Sequence, residues 1–457
     1  MSSSINLVKG WPSTKLLPAR QISEAAQLQL ANPEVAHAGL LYGPDDGFKP
    51  LRESLSRFLT TFYNHDEDGD AIEPEEICIT GGASQNLGCM LQVFTDPLFT
   101  RSVQIIAPAY MLSFRMFADN GFSGKMKAVP ENEDGVDTGS LRRSLQESED
   151  QAKTDYLNAA TTKPQRPYSK YYRHVIYCVP TFSNPSSRSM SLERRTELVR
   201  IAREFDALII ADDVYDYLQW PSHPTEASIP MTRASFPRLV DIDRALDGGA
   251  SRPGADGFGN AMSNGSFSKI SGPGVRVGWV QGTAKFAWGV SQCGTSCSGG
   301  APSQLTSTFM DCLLRQGKLQ THVFDVLCPA YAQRYKTLVE AVETELFPLG
   351  ASMPQADRQV VGGFFIWVTL PKAIMAEELA HRCQDEVDVF VAPGSIFEVP
   401  GDESVKFDHN IRLCFSWLEP EDMVEGVKRI RMIVESMLRG EKAKSKGKSQ
   451  KGLGQIK

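Results

Sequence analysis

The chain has 457 residues, 41% of them hydrophobic and 23% charged, ordinary proportions for a globular protein with room for two sizeable domains. The formal net charge is −7, but residues 441–457 hold six lysines and one glutamate, so the body carries 42 basic and 54 acidic residues, a balance near −12. An acidic body argues against nucleic acid as the main partner, and no apolar run is long enough for a transmembrane helix.

The nine cysteines form no CxxC pair, and the spacing of Cys293 and Cys297 is not that of a zinc knuckle. All nine are expected as reduced thiols with no metal, which favours a reducing compartment. MSSSINLVKGWPSTKLLP at the start lacks the apolar core of a secretory signal and the arginine-rich face of a transit peptide. The final Gln-Ile-Lys is not a peroxisomal address, so a cytoplasmic location is expected.

In chain order, ICIT (77–80) reads as a buried strand and residues 84–95 as a helix. VQIIAP (103–108) and HVIYCVP (174–180) are further strands, followed by a helix over 192–205 that Ser191 can cap. ALIIADD (207–213) and VGWVQG (277–282) complete the series. Strands alternating with helices imply an α/β architecture with a mostly parallel central sheet. Residues 142–172 and 221–262 are polar or rich in Pro, Gly, Ser and Asp, and are expected to loop over the surface. The glycines of DGGASRPGADGFGN have no strand leading in and no helix opening after them, so they are not read as a phosphate loop.

From about residue 303 the texture changes. A helical stretch covers roughly 319–347, then come GGFFIWVTLP (362–371), a helix near 373–384, VDVFVAPG (387–394), IRLCFSW (411–417) and a helix over about 419–438. This reads as a smaller α+β unit. The tail EKAKSKGKSQKGLGQIK is poor in apolar residues and is expected to be disordered.

SFSKISGPGVRVG (266–278) sets Lys269 among small hydroxyl residues and places Arg276 seven positions on. A lysine with a lowered pKa is an imine nucleophile, and an arginine fork suits a phosphate dianion. The same pair on a loop is otherwise two surface charges. ITGGASQNL (79–87) follows a strand and opens a helix, where backbone N–H groups and Ser84 can meet an anion, or simply make a strand–turn–helix. ADDVYDYL (211–218) ends a strand with Asp212, where parallel sheets bind ligands, and puts Tyr215 three residues later. A buried carboxylate needs a partner, and a protonated pyridine nitrogen is a good one; the plainer alternative is that Asp212 or Asp213 caps a helix. VPTFSNPSSR (179–188) ends a strand with Asn184 before a proline, and APAYMLSF (107–114) sets Tyr110 after another, where its ring can stack on a flat ligand or pack in a core.

Taken in order, GGAS, Pro-Ala-Tyr, Asn-Pro, Asp-x-x-Tyr, Ser-x-Ser-Lys and a downstream Arg resemble the fold-type I pyridoxal-phosphate enzymes, specifically the class I/II aminotransferases. INLVKGWPSTKLLP and LLYGPDDGFKPLRESL resemble the opening segments of that family, and GGFFIW, VAPGSIF and IRLCFSW its closing ones. The likeness covers roughly residues 5–438 and is nearest the branch holding aminoadipate, kynurenine, aromatic and valine–pyruvate aminotransferases. An opening motif at residue 5 leaves little room for a presequence.

The resemblance implies pyridoxal 5′-phosphate as cofactor, amino acids and 2-oxo acids as substrates, and a homodimer with shared active sites. Lys269 would carry the cofactor as a Schiff base and move the proton. Asp212 would keep the pyridine nitrogen protonated, so that the ring acts as an electron sink. Tyr215 and Asn184 would hydrogen-bond the ring's phenolic oxygen, and Tyr110 would stack on the ring. Gly82, Ala83, Ser84, Ser266 and Arg276 would bind the phosphate, with Tyr42 of LLYG reaching the phosphate of the neighbouring subunit. Arg412 would clamp the substrate α-carboxylate, Asn184 would assist, and Gly10 would line the substrate pocket. The implied organisation is an N-terminal segment (1–42) contributing to the small domain and dimer, a large cofactor-binding domain (43–320), a small C-terminal domain (321–440) and the lysine-rich tail (441–457).

Three departures from the family stand out. Asn184-Pro185 is followed by Ser-Ser-Arg where a small residue and a glycine are usual, so a different turn is expected with Asn184's role unchanged. Ala83 stands where serine is frequent, and the segment between Asp212 and Lys269 is long. No arginine for a side-chain carboxylate is identifiable. A lyase or a synthase resembling aminocyclopropane-carboxylate synthase would use the same cofactor residues and is the alternative chemistry. A ligand-sensing regulator would need an added DNA-binding domain, for which residues before 5 leave no room. A nicotinamide dehydrogenase would need a G-x-G-x-x-G after a strand, and none is present.

Overall fold

Short aliphatic runs walled by Gly, Pro or Asp become the strands that organise the molecule. The computed structural model describes residues 4–63, 65, 70–222, 231–354 and 359–443. Its central sheet has eight strands: β1 (Ile77–Thr80), β2 (Ser102–Ala107), β3 (Met126–Asn132), β4 (Gly135–Val136), β5 (His174–Cys178), β6 (Ala207–Asp212), β7 (Ala261–Ser266) and β8 (Gly278–Gln281). Their spatial order is β1-β8-β7-β6-β5-β2-β3-β4. Strands β7, β6, β5, β2 and β3 run parallel, while β8 is antiparallel to both its neighbours and β4 to β3. The expected mostly parallel α/β sheet is therefore present.

Helices cover both faces, as parallel strands require. Helix α1 (Ala83–Phe94) follows β1 directly, and α2 (Thr138–Lys153) and α3 (Leu192–Glu204) precede β5 and β6. Ser191 caps α3, its hydroxyl accepting from the Arg194 amide at 3.3 Å. At the C-terminal end, β9 (Phe365–Thr369), β10 (Ala392–Pro393) and β11 (Asn410–Cys414) form an antiparallel sheet in the order β9-β11-β10, backed by helices Ala376–Val387 and Pro420–Leu438. Residues Ile5–Asn6 pair in parallel with Val389–Phe390, so the N-terminal segment joins this smaller unit.

Two expectations need correction. Residues 142–172 are not all loop, because helix α2 runs to Lys153. Asp137 caps it by accepting from the Ser140 amide at 2.9 Å, and Leu141, Leu145 and Ala152 are fully buried beneath an otherwise polar face. A stripe this thin is easily hidden by the charged residues around it. Residues 221–262 likewise hold a helix, α4 (Leu239–Ala245), and the first residues of β7. Asp241 closes the start of α4, its carboxylate accepting from the Arg238 amide at 2.9 Å and from the Arg238 guanidinium at 2.6 Å. Strand β7 escaped notice because AMSNGS is small and polar rather than branched. The long helical stretch begins at Lys318, passes through a π-helical turn at His322–Leu327 and continues over Cys328–Glu345. Most of the lysine-rich tail, residues 444–457, lies outside the described residues.

All nine cysteines are free thiols, eight of them buried and Cys297 exposed. Among the described residues no helix is long and apolar enough to cross a membrane, and no His/Cys/Asp/Glu cluster could hold a metal ion.

The turn after Asn184 keeps a conformation suited to glycine. Ser187 sits at φ +58°, in the left-handed region, with its amide donating to the Ser183 carbonyl at 2.7 Å. An L-residue there costs about 1–2 kcal/mol, part of which glycine returns as chain entropy. Ser187→Gly is accordingly expected to stabilise the fold by about 1 kcal/mol, read as a higher urea midpoint at unchanged slope.

Candidate active site

The carboxyl ends of β5, β6 and β7 open on a cavity of about 430 Å³ between the central sheet and the C-terminal unit. It is lined by Ala83, Ser84, Tyr110, Asn184, Asp212, Tyr215, Ser266, Lys269 and Arg276 from the central sheet and its loops, and by Gly10 and Arg412 from the N-terminal segment and C-terminal unit. Eleven of the residues singled out in the sequence thus converge from segments up to 400 positions apart.

Asp212 is the last residue of β6 and is buried. The turn after it is not helical, so neither Asp212 nor Asp213 is a helix cap. Burial lifts the Asp212 carboxyl to about 6, against the hydrogen bond from Tyr177, whose hydroxyl donates to Oδ2 at 3.0 Å. Lys269 lies on the loop after β7. Its Nζ donates to the Gly10 carbonyl at 2.9 Å and sits 5.1 Å from the centre of the Phe364 ring. Burial lowers this ammonium to about 8, and the Arg412 charge pushes the same way.

Arg412, on β11, is held between two aromatic faces, with its guanidinium 4.0 Å from the centre of Phe365 and 4.9 Å from that of Phe397. It donates to Asn184 Oδ1 at 2.8 Å and to the Val8 carbonyl at 2.6 Å, while its buried Nε has no partner in the protein. Burial lowers it to about 10, so it remains a cation at neutral pH. Because Asn184 Oδ1 accepts from Arg412, its amide nitrogen is left as a donor. Gly10 is required by space: a Cβ there would stand 2.7 Å from Cζ of Phe365.

The β1–α1 turn makes a cradle. Gly82 has φ +98°, and a Cβ on it would lie 2.8 Å from Nη2 of Arg276. Arg276 donates to the carbonyls of Gly81 and Pro273, so its fork lies across the helix start. Ser266 and Ser268 hydroxyls are 2.9 Å apart beside it. Tyr42 is not brought into the cavity. It is 89% exposed, with its ring against Gly299.

Sequence reasoning missed Ser268, Trp11 and Leu112 in the lining, and Tyr177 and Asn264, which also line it and bond Asp212. The hydroxyl of Ser268 was visible in the lysine motif; the others carry no local signal. A second polar row, Ser102–His174–Glu149, has links of 2.8 Å at both ends of the imidazole. Ser102 and His174 are buried at the amino ends of β2 and β5, Glu149 is half-buried on α2, and none of the three lines the cavity above, so the row is structural.

The family model of aminotransferase class I and II matches residues 5–430. The chain belongs to this family. It is 35% identical over 446 residues to an uncharacterized protein of Saccharomyces cerevisiae, covering 94% of this chain and 97% of that one. It is 25% identical over 436 residues to 2-aminoadipate transaminase of Thermus thermophilus, covering 95% and 91%. The crystal structure of kynurenine aminotransferase from Pyrococcus horikoshii has a TM-score of 0.74 and 26% identity, over 96% of this chain and 92% of that one. The protein is a pyridoxal-phosphate-dependent aminotransferase of fold type I, and transamination rather than elimination is the chemistry of its named relatives.

The residues of this aminotransferase fit pyridoxal phosphate. Gly82 leaves the space that a Cβ would fill beside Arg276, where an anion meets both the helix start and a guanidinium. Asp212 is a buried carboxylate that still has acceptor capacity toward the cavity, as a pyridinium requires. Lys269 is an amine poised to lose its proton near neutral pH.

Covalent attachment of the cofactor needs the neutral amine, whose fraction falls tenfold per pH unit below about 8. The rate at which apoprotein binds pyridoxal phosphate covalently, followed by visible absorbance, is therefore expected to rise between pH 6 and 8 and to level off above.

Proposed function

We propose that this aminotransferase takes amino donors with bulky uncharged side chains, aromatic ones foremost. The observation that carries this reading is the charge census of the cavity. Among the described residues its cations are Lys269, Arg276 and Arg412, each with a task at the cofactor or the α-carboxylate. The rest of the wall toward the N-terminal segment is apolar: Trp11, Pro12, Leu112, Met116 and Phe365. Lys9 does not line it, its Nζ resting against the rings of Trp11 and Trp417 at 4.9 and 5.3 Å. A side-chain carboxylate in this space would be desolvated without a counter-charge. Likeness to the kynurenine enzyme supports an aromatic donor, whereas likeness to the aminoadipate enzyme supports an acidic one.

In this reading the residues divide the work as follows. Bound pyridoxal phosphate supplies an electron sink for the pair left at the substrate Cα. Lys269 Nζ would anchor the cofactor and, once freed, would take and carry the proton from the substrate Cα. Asp212 would keep the ring nitrogen protonated, and Tyr215 and Asn184 would donate to the phenolic oxygen. Burial lifts the Tyr215 phenol well above its ordinary value, so it acts as a donor. Tyr110 covers the ring. Gly82, Ala83, Ser84, Ser266 and Arg276 hold the phosphate. Arg412 and Asn184 hold the α-carboxylate, with the Gly10 backbone closing the pocket.

We also infer a cytosolic homodimer, with the chain divided at 42, 320 and 440. Leu28, Leu30, Leu40, Leu41 and Tyr42 are exposed apolar side chains on or just after the helices Ala19–Ala31 and Pro33–Leu40, suited to burial against a second copy. That arrangement would bring Tyr42 to the neighbour's phosphate cradle. The free thiols support a reducing compartment.

Single-turnover release of 2-oxo acid from loaded enzyme, with no acceptor added, tests the donor class. Phenylalanine, tyrosine and tryptophan are expected to react faster than glutamate or 2-aminoadipate, and the reverse order would overturn the assignment. Trp11→Ala is expected to lower kcat/KM for aromatic donors about tenfold while sparing alanine. Arg412→Ala is expected to lower kcat/KM about 10²-fold for every donor, chiefly through KM, with Arg412→Lys recovering only part because an ammonium cannot fork.

A further inference from the structure

Asp212 is held by one side-chain amide, Asn264, and that amide by a second, Asn86, neither of which the roles above use. Asn264 lies on β7 directly opposite Asp212 in the parallel register of β6 and β7. Its Nδ2 donates to Asp212 Oδ1 at 3.3 Å and to the Ala83 carbonyl at 3.1 Å. Its Oδ1 accepts from Asn86 Nδ2 at 2.7 Å. Asn86, Asn264 and Tyr177 are all buried.

The chemistry of the partners determines which way each amide faces. An ionised carboxylate and a peptide carbonyl only accept, so the NH₂ of Asn264 must face Asp212 and Ala83. Its oxygen then faces Asn86, which has to present its own NH₂. Asn86 lies in the first turns of α1, the helix whose start forms the phosphate cradle, and Ala83 is the first residue of that helix. A polar line therefore runs from the cradle helix through Asn86 and Asn264 to the carboxylate. With Tyr177 on the other oxygen, both oxygens of Asp212 carry a donor. Donors to a carboxylate favour its ionised form. The Tyr177 bond works against the burial that disfavours it, and the Asn264 bond acts in the same sense.

We propose that Asn264 is a positioning residue that keeps Asp212 ionised and aimed into the cavity, and that Asn86 sets the direction of the Asn264 amide. This rests on the reading that Asp212 faces the ring nitrogen of the cofactor. Asn86→Asp is the sharpest variant because it keeps the shape and reverses the polarity. The new carboxylate would draw the Asn264 NH₂ toward itself and turn the amide oxygen on Asp212. Asn264→Leu removes the donor at nearly constant volume.

The experiment measures the dissociation constant of pyridoxal phosphate for apoprotein by equilibrium dialysis between pH 5 and 8, alongside kcat. The cofactor's own phosphate titrates equally in every protein, so differences between variants report the site. Both variants are expected to lose affinity at a pH about one unit higher than the parent, with kcat about tenfold lower at pH 7. In an Asp212→Asn background the same substitutions are expected to move neither the pH profile nor kcat. Unshifted profiles in the single variants, or equal effects in the Asp212→Asn background, would overturn the relay. If Asp212→Asn itself changes neither affinity nor kcat, the failure lies in the role given to Asp212. Should Asn264→Leu not fold, Asn86→Asp carries the test alone, its unfolding midpoint showing that the fold is intact.

Discussion

A carboxylate that must stay ionised inside a protein needs donors on it and a cation in front of it. That constraint at Asp212 organises the rest of this structure. Its backbone position follows from β6 ending where a parallel sheet presents its carboxyl edge. Its donors come from the strands on either side, Tyr177 from β5 and Asn264 from β7. The same edge supplies Ser266 at the end of β7, Lys269 three residues later, and Arg276 just before the chain returns as β8. One short connection between two strands thus delivers both the amine and a guanidinium to the cavity.

Burial acts in the neutralising direction on three charged groups of the cavity. It raises Asp212 to about 6 and lowers Lys269 to about 8 and Arg412 to about 10. The site uses this differently at each group. Lys269 needs a neutral form within reach, and burial provides it. Arg412 must stay charged, and its ordinary value is high enough to absorb the shift. Phe365 and Phe397 supply ring faces that tolerate a guanidinium while excluding water. Asp212 has the least margin, which is why its hydrogen-bond partners matter most.

The N-terminal segment is as much a wall of this cavity as the sheet is. Val8 and Gly10 present carbonyls to Arg412 and Lys269, and Trp11 and Pro12 face the space where a substrate side chain would lie. Ser416 fastens the strap by donating to the Trp11 carbonyl at 2.7 Å. A residue at position 10 larger than glycine would be driven into Phe365, so the strap, β9 and the Arg412 sandwich are packed as one unit.

Much of this was legible from the residues alone. Aliphatic runs such as ICIT and ALIIAD declare themselves as buried strands because nothing else tolerates so much apolar surface in so few residues. The ordered series from GGAS to Ser-x-Ser-Lys marked Lys269, Asp212, Asn184 and Arg276, because each chemistry needs a particular residue type after a strand. Strand β7 and helix α2 were not legible, the first because AMSNGS has little apolar content, the second because its apolar stripe is so narrow. Tyr177, Asn264 and Asn86 were invisible for a deeper reason. A tyrosine or an amide on a buried strand or helix has no meaning until the fold brings it within reach of a carboxylate or of another amide that holds one. The sequence by itself determined which side chains could do the chemistry, since reactivity resides in residue type. Only the tertiary structure decided what holds them in their working charge states, since hydrogen bonding and desolvation arise between segments that the chain order keeps far apart.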